Sequence, residues 1–107
     1  MFKPVSMVEG KSIASPEEDF RRARRVEQYR ISDRALYIPN GLRWSYIPLD
    51  EIREAEPSHR VVSAGKCVAV TEKRPTLSVK TQAGSFRFPL ERQESLTLLL
   101  KVIRGDG

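Results

Sequence analysis

Apolar and polar positions alternate along most of this chain with the two-residue period of a half-buried strand, and only near the end does the period lengthen to that of a helix. The clearest stretch runs from Tyr29 to Ile52. Arg34 to Ile38 reads as one strand. Pro39-Asn40-Gly41 supplies a tight turn, since Asn and Gly tolerate positive backbone dihedrals. Leu42, Trp44 and Tyr46 then alternate with Arg43, Ser45 and Ile47, giving a strand with one broad aromatic side. Pro48 cannot donate to a ladder and ends it. Leu49 and Ile52 tuck in around the exposed pair Asp50-Glu51 as a single helical turn.

Further strands are expected at 24–31, 52–57, 67–71, 77–81 and from Phe86 to Leu90, with Ser32-Asp33 and Ala83-Gly84 as turns. Pro57 to Lys66 reads as a loop, and Glu72-Lys73-Arg74-Pro75 as a charged hairpin tip. Ser15-Pro16-Glu17-Glu18 reads as a helix start over 16–22, with Ser15 accepting from the amide three residues on and Glu18 completing a capping box. Leu96, Leu99, Leu100 and Ile103 fall at i, i+3, i+4 and i+7, the stripe of an amphipathic helix over about 90–104. Glu91 and Glu94 near its start, Lys101 and Arg104 near its end and Gly105 beyond it suit the macrodipole and a left-handed cap.

Seven short antiparallel strands must curl or split to bury a core. The reading is therefore a mainly β fold, a seven-stranded antiparallel half-open barrel capped by the C-terminal helix. Residues 1–14 show no sustained period and read as an arm or edge segment, so the domain organisation is an arm at 1–15 and one domain at 16–107.

Composition narrows the class. A chain of 107 residues has room for one core, and its 39% apolar and 31% charged residues fit a globular protein. No apolar run reaches the length of a membrane helix, and the first nine residues lack a secretory apolar stretch. One cysteine, Cys67, fits a reducing interior and a cytoplasmic location. The net charge of +5 is uneven: residues 21–34 carry six arginines against Glu27 and Asp33, a field able to attract phosphate or an acidic partner.

The string Tyr29-Arg30-Ile31-Ser32-Asp33-Arg34-Ala35-Leu36-Tyr37-Ile38, followed by Tyr46-Ile47-Pro48-Leu49-Asp50-Glu51-Ile52, resembles the core of bacterial pleckstrin-homology-like and GRAM-like domains. The resemblance covers roughly residues 24–104. It implies a PH-like barrel with a closing helix and a tendency to bind lipids, peptides or other domains; no cofactor is expected. Phosphoinositide-binding members place a Lys/Arg-x-Arg pair across the first hairpin. Here that region offers only Arg30 and Arg34, and Asp50 and Glu51 in the neighbouring corner oppose a phosphate.

The candidate binding residues are Arg21, Arg22, Arg24, Arg25, Arg30 and Arg34, whose guanidinium forks suit phosphates and carboxylates. Arg21 and Arg25 also match the Arg-x-x-x-Arg element of the cyclic-dinucleotide-binding PilZ family, whose second Asp/Asn-x-Ser-x-x-Gly motif is missing. Nucleic-acid binding would use the same arginines with Tyr29, Tyr37 and Trp44 as stacking faces, but the alternation of Trp44 and Tyr46 with polar residues places them in the core. His59 is the only histidine, and no Ser/His/Asp arrangement or metal-ligand cluster is visible. Cys67 reads as a small buried thiol in a strand. The expectation is a non-catalytic intracellular binding module, bacterial in type, whose partner is another protein or a second copy joined through open strand edges. The alternative is an anionic ligand, a cyclic dinucleotide or phospholipid headgroup, on the arginines.

Overall fold

The strand alternation resolves into two sheets that share one apolar core. The computed structural model describes residues 3–63 and 71–105. In chain order the elements are β1 (Val5–Ser6), α1 (Pro16–Arg22), β2 (Arg24–Val26), β3 (Tyr29–Ile31), β4 (Ala35–Asn40), β5 (Arg43–Pro48), a 3-10 turn (Leu49–Glu51), β6 (Glu54–Ser63), β7 (Thr71–Thr81), β8 (Gly84–Pro89) and α2 (Gln93–Arg104). The first sheet has the order β1-β5-β4-β3-β2 and the second β6-β7-β8. The fold is mainly β with two helices, as the alternation implied. Among the described residues no ladder joins the two sheets, and they do not close into a barrel. β1 also runs parallel to β5, pairing Val5 with Ser45 and Ser6 with Tyr46, so the first sheet is mixed.

β4 shows how the core is organised. Ala35, Leu36 and Tyr37 are all buried, because this sheet is covered on both faces. Leu36 and its cross-strand partner Ile47 face inward, where they meet Leu77, Val79 and Phe88 of the second sheet and Leu96, Leu99 and Leu100 of α2. Ala35, Tyr37 and Tyr46 face outward, beneath Phe20 and Ala23 at the end of α1, with Ile13 and Trp44 at the margin. The Phe20 ring meets Tyr37 edge-on at 5.2 Å and Trp44 at 4.8 Å. Tyr46 is buried as expected, Trp44 is half-buried, and Leu42 sits in the turn, fully exposed. The N-terminal segment docks on this body through β1 and buries Val8 in the main core.

Local chemistry explains most boundaries. Proline lacks a donor, so strand prolines sit where one side of the ladder is empty. Pro39 pairs with Trp44 on β5, beyond the point where β3 pairs with β4. Pro57 lies in β6, which pairs only with β7. α2 covers part of that edge, and Arg104 Nη2 donates to the Ala55 carbonyl at 2.9 Å. Gly41 takes φ 65°, as the β4–β5 turn requires, and Gly105 ends α2 at φ 73° while its amide donates to Lys101 and Val102 carbonyls.

Four expectations about individual segments change. Residues 24–31 form a hairpin, not one strand: Val26 pairs with Tyr29 around Glu27-Gln28. Glu27 holds φ 55° there without being Gly or Asn, so the turn carried no sequence signal. Its carboxylate accepts from the amides of Glu91 at 2.8 Å and Arg92 at 3.1 Å, clamping the entry to α2. Burial opposes that charge, but a hydrogen bond from Ser95, the two amides and the charge of Arg92 outweigh it and hold the carboxyl below its ordinary value. Glu27→Ala should therefore cost about 1 kcal/mol and speed amide exchange over Gln93–Leu96. Unchanged protection in that turn would refute the clamp.

The expected capping box is absent. Ser15 takes φ 49°, where an N-cap is normally extended, and its side chain caps nothing. The amides of Glu18 and Asp19 instead bond the Ser15 backbone carbonyl at 3.1 Å. The loop expected at 57–66 and the charged tip at 72–75 both fall largely within the β6–β7 hairpin, whose register runs from Glu54 with Lys80 to Ser63 with Thr71. Glu56, Pro57 and His59 are exposed, so solvent keeps this strand polar and its sequence reads as a loop. Cys67 and nearly all of the strand expected at 67–71 lie outside the described residues.

Candidate functional site

The six arginines singled out in the sequence do not converge. Arg22 is tied to two acids, with Nε 3.2 Å from Asp19 Oδ1 and Nη2 3.4 Å from Asp33 Oδ1. The register sets Arg25 opposite Arg30, yet the two splay apart. Arg25 Nε donates to the Glu27 carbonyl at 3.2 Å. Arg30 lies over the Phe20 ring, 4.4 Å from its centroid, and donates to the Phe20 carbonyl. Arg34 is half-buried and Arg21 is exposed at the end of α1. Arg24 and Arg25 share a cleft of about 280 Å³ with Arg92 of the α2 entry. Glu27 and Glu94 line the same cleft and offset the arginine charge. Tyr29 and Tyr37 are buried and present no stacking face. His59 is exposed on β6, and no cluster of His, Cys, Asp or Glu suited to a metal occurs among the described residues.

Another cleft, of about 650 Å³, lies between the N-terminal strand and the loop that enters α1. Lys3, Pro4, Val5 and Ser6 form one wall, and Ser12, Ile13, Ser15, Pro16 and Glu17 the other, with Tyr46 contributing from β5. The sequence reading missed it because its first wall is a segment without period. Pairing creates the site. The Met7 amide donates to the Tyr46 carbonyl at 2.8 Å, next to the β1 ladder, and the Ile13 amide donates to Tyr46 Oη at 3.2 Å. Tyr46 thus holds both walls, one through its backbone and one through its phenol.

Two carboxylates on α1 contrast sharply. Asp19 is buried and saturated: Tyr37 Oη and Ser32 Oγ each donate to its Oδ2 at 2.6 Å, and Arg22 donates to Oδ1. Burial alone would raise its pKa, but these three donors and the Arg22 charge hold it below the ordinary value. The same burial and the Asp19 carboxylate push the Tyr37 phenol far up, so it stays a donor. Ser32 also accepts from the amides of Arg34 and Ala35 at 3.0 Å, which fixes the turn into β4. Glu17, two residues away, is the opposite case. Its Oε2 is shut off from solvent and has no hydrogen-bond partner among the described residues.

No helix among the described residues is long and apolar enough to cross a membrane. No protein-family model, curated protein or solved structure matches the chain.

Proposed function

We propose that this chain is a non-catalytic binding module of the bacterial pleckstrin-homology-like type, acting in the cytoplasm on a protein or small ligand through the cleft beside α1. The observation that carries this reading is that this cleft of about 650 Å³ is walled by serines, apolar side chains, Tyr46, Lys3 and Glu17, and by none of the six arginines. The Ile47-Pro48-Leu49 corner, with its 3-10 turn, and α2 packed against β6 and β7 support the PH-like assignment. The internal contacts of Arg22, Arg25 and Arg30 count against an anion site over 21–34. Self-association through β6 is disfavoured by Pro57 and by Arg104 on the Ala55 carbonyl.

Placing bulk in the cleft separates the readings. Ser12→Trp should weaken capture of a partner by the purified chain more than tenfold. The triple variant Arg21→Ala, Arg24→Ala, Arg25→Ala should change it less than twofold. The reverse pattern, with binding to anionic vesicles or a cyclic dinucleotide that falls steeply with salt, would establish the arginine site instead.

A further inference from the structure

We infer that the strap formed by residues 10–15 stands in for the ligand, and that an extended peptide segment with an aliphatic side chain displaces it and takes the seat of Ile13. This rests on the reading of the cleft beside α1 as the binding site and names its ligand class. The strap separates two openings. Ser12 and Ile13 line the cleft of about 650 Å³ on one side and a second cleft, of about 360 Å³, on the other. Lifting the strap would join them into one groove running from Lys3 to Asp50. Its hold is slight. Residues 9–12, 14 and 15 are exposed, and Ile13 alone is half-buried, packed against the cluster of Phe20, Tyr37 and Tyr46. Among the described residues, the Ile13 amide makes the strap's one hydrogen bond outside the turn at Val8 and the start of α1, to Tyr46 Oη at 3.2 Å. Gly10 and Ser15, at its two ends, hold φ 78° and 49°. Ser15 is neither Gly nor Asn, so the closed strap carries strain at that end. A segment with one apolar anchor and one hydrogen bond opens locally more readily than the sheets beneath it.

The two anchors define what can replace the strap. Tyr46 Oη accepts from a main-chain amide, and the seat beneath Ile13 takes an aliphatic side chain. Any extended peptide offers both groups at one residue, with the main chain supplying affinity and the side chain specificity. Anions fit less well: Asp33 and Asp50 line the second cleft beside Arg34, so it holds no excess of positive charge. A small polar ligand would satisfy the phenol but leave the apolar seat wet. The closed strap competes from within the same chain. A peptide therefore binds with an apparent affinity lowered by the fraction of molecules whose strap is open.

A blocked peptide of the strap's own sequence, Gly-Lys-Ser-Ile-Ala-Ser, tests this against the whole chain, with Gly-Lys-Ser-Asn-Ala-Ser as the control. Ile13→Gly empties the seat. It should bind the first peptide at least about tenfold tighter than the parent does, and about tenfold tighter than it binds the control. In the parent, saturating peptide should speed hydrogen exchange at the Ile13 amide and tryptic cleavage after Lys11. Protection of the α2 amides reports that the variant is folded; should it not fold, the parent's exchange decides. Equal binding of both peptides by the folded variant would overturn the seat. Peptide binding that leaves the Ile13 amide protected would overturn displacement while keeping the cleft as a site. No binding by parent or variant would overturn the whole inference, and the cleft would then stand or fall on Ser12→Trp. A parent mass that doubles with concentration, abolished by Ile13→Gly, would overturn the partner peptide in favour of a strap exchanged between two copies.

Discussion

Replacing Asp19 by Ala is expected to destabilise the chain by about 3 kcal/mol, among the largest effects of any polar substitution. The carboxylate lies under α1 and is the common acceptor for Tyr37, Ser32 and Arg22. Its removal strands the Tyr37 hydroxyl with only the weaker contact to the Pro16 carbonyl at 3.3 Å. Tyr37→Phe should cost less, about 1 kcal/mol, since Asp19 keeps two donors. Urea denaturation measures both, and an Asp19→Ala loss below 1 kcal/mol would sink the network as a source of stability. The pH dependence has a defined sign. The Asp19 carboxyl is held below 3.8 in the fold, so its contribution is fully present above that value and drains away as pH falls through the lower folded value. Tyr37, raised above 10.0, acts in the other direction: its contribution is complete below that value and is lost as pH rises past it. Asp19→Ala should flatten the acid limb of the stability profile.

The parts of this fold that the sequence exposed are those where one local signal suffices. The α2 stripe, the Gly41 turn, the stop at Pro48 and the Ser32 turn each depend on residues within a few positions of one another. What remained hidden depends on distant partners. Glu27 adopts a left-handed backbone conformation because residues 91 and 92 meet its carboxylate. Ser15 fails as a side-chain cap, and its carbonyl takes that role instead. The outer β6 strand, with Glu54, Glu56, Pro57 and His59 exposed, imitates a loop. The arginines looked like a site because they are adjacent in sequence, whereas β2 and β3 fold back on each other and scatter them among acids, a carbonyl and an aromatic ring. The cleft beside α1 was invisible for the same reason: only the pairing of β1 with β5 brings its walls together.

Leu99→Ala tests the other side of the first sheet and is expected to cost about 3 kcal/mol. Leu99 is fully buried, between Leu96 and Leu100 on one side of α2 and the inward residues of both sheets. Its truncation leaves a cavity in the main core. Leu42→Ala, at a fully exposed position, should change stability by less than 0.5 kcal/mol and serves as the control. The combination of Leu99→Ala with Tyr37→Phe is the more searching experiment. Leu36 and Tyr37 are consecutive on β4 but face opposite ways, so the main core and the α1 cluster share a strand and no side-chain contacts. Their free-energy losses should add within about 0.5 kcal/mol, while unfolding stays a single transition because β4 cannot leave one cluster without leaving the other. Coupling above 1 kcal/mol would mean that the two clusters are one core. Two separate transitions would mean that α1 and its cluster fold independently of the strands beneath them.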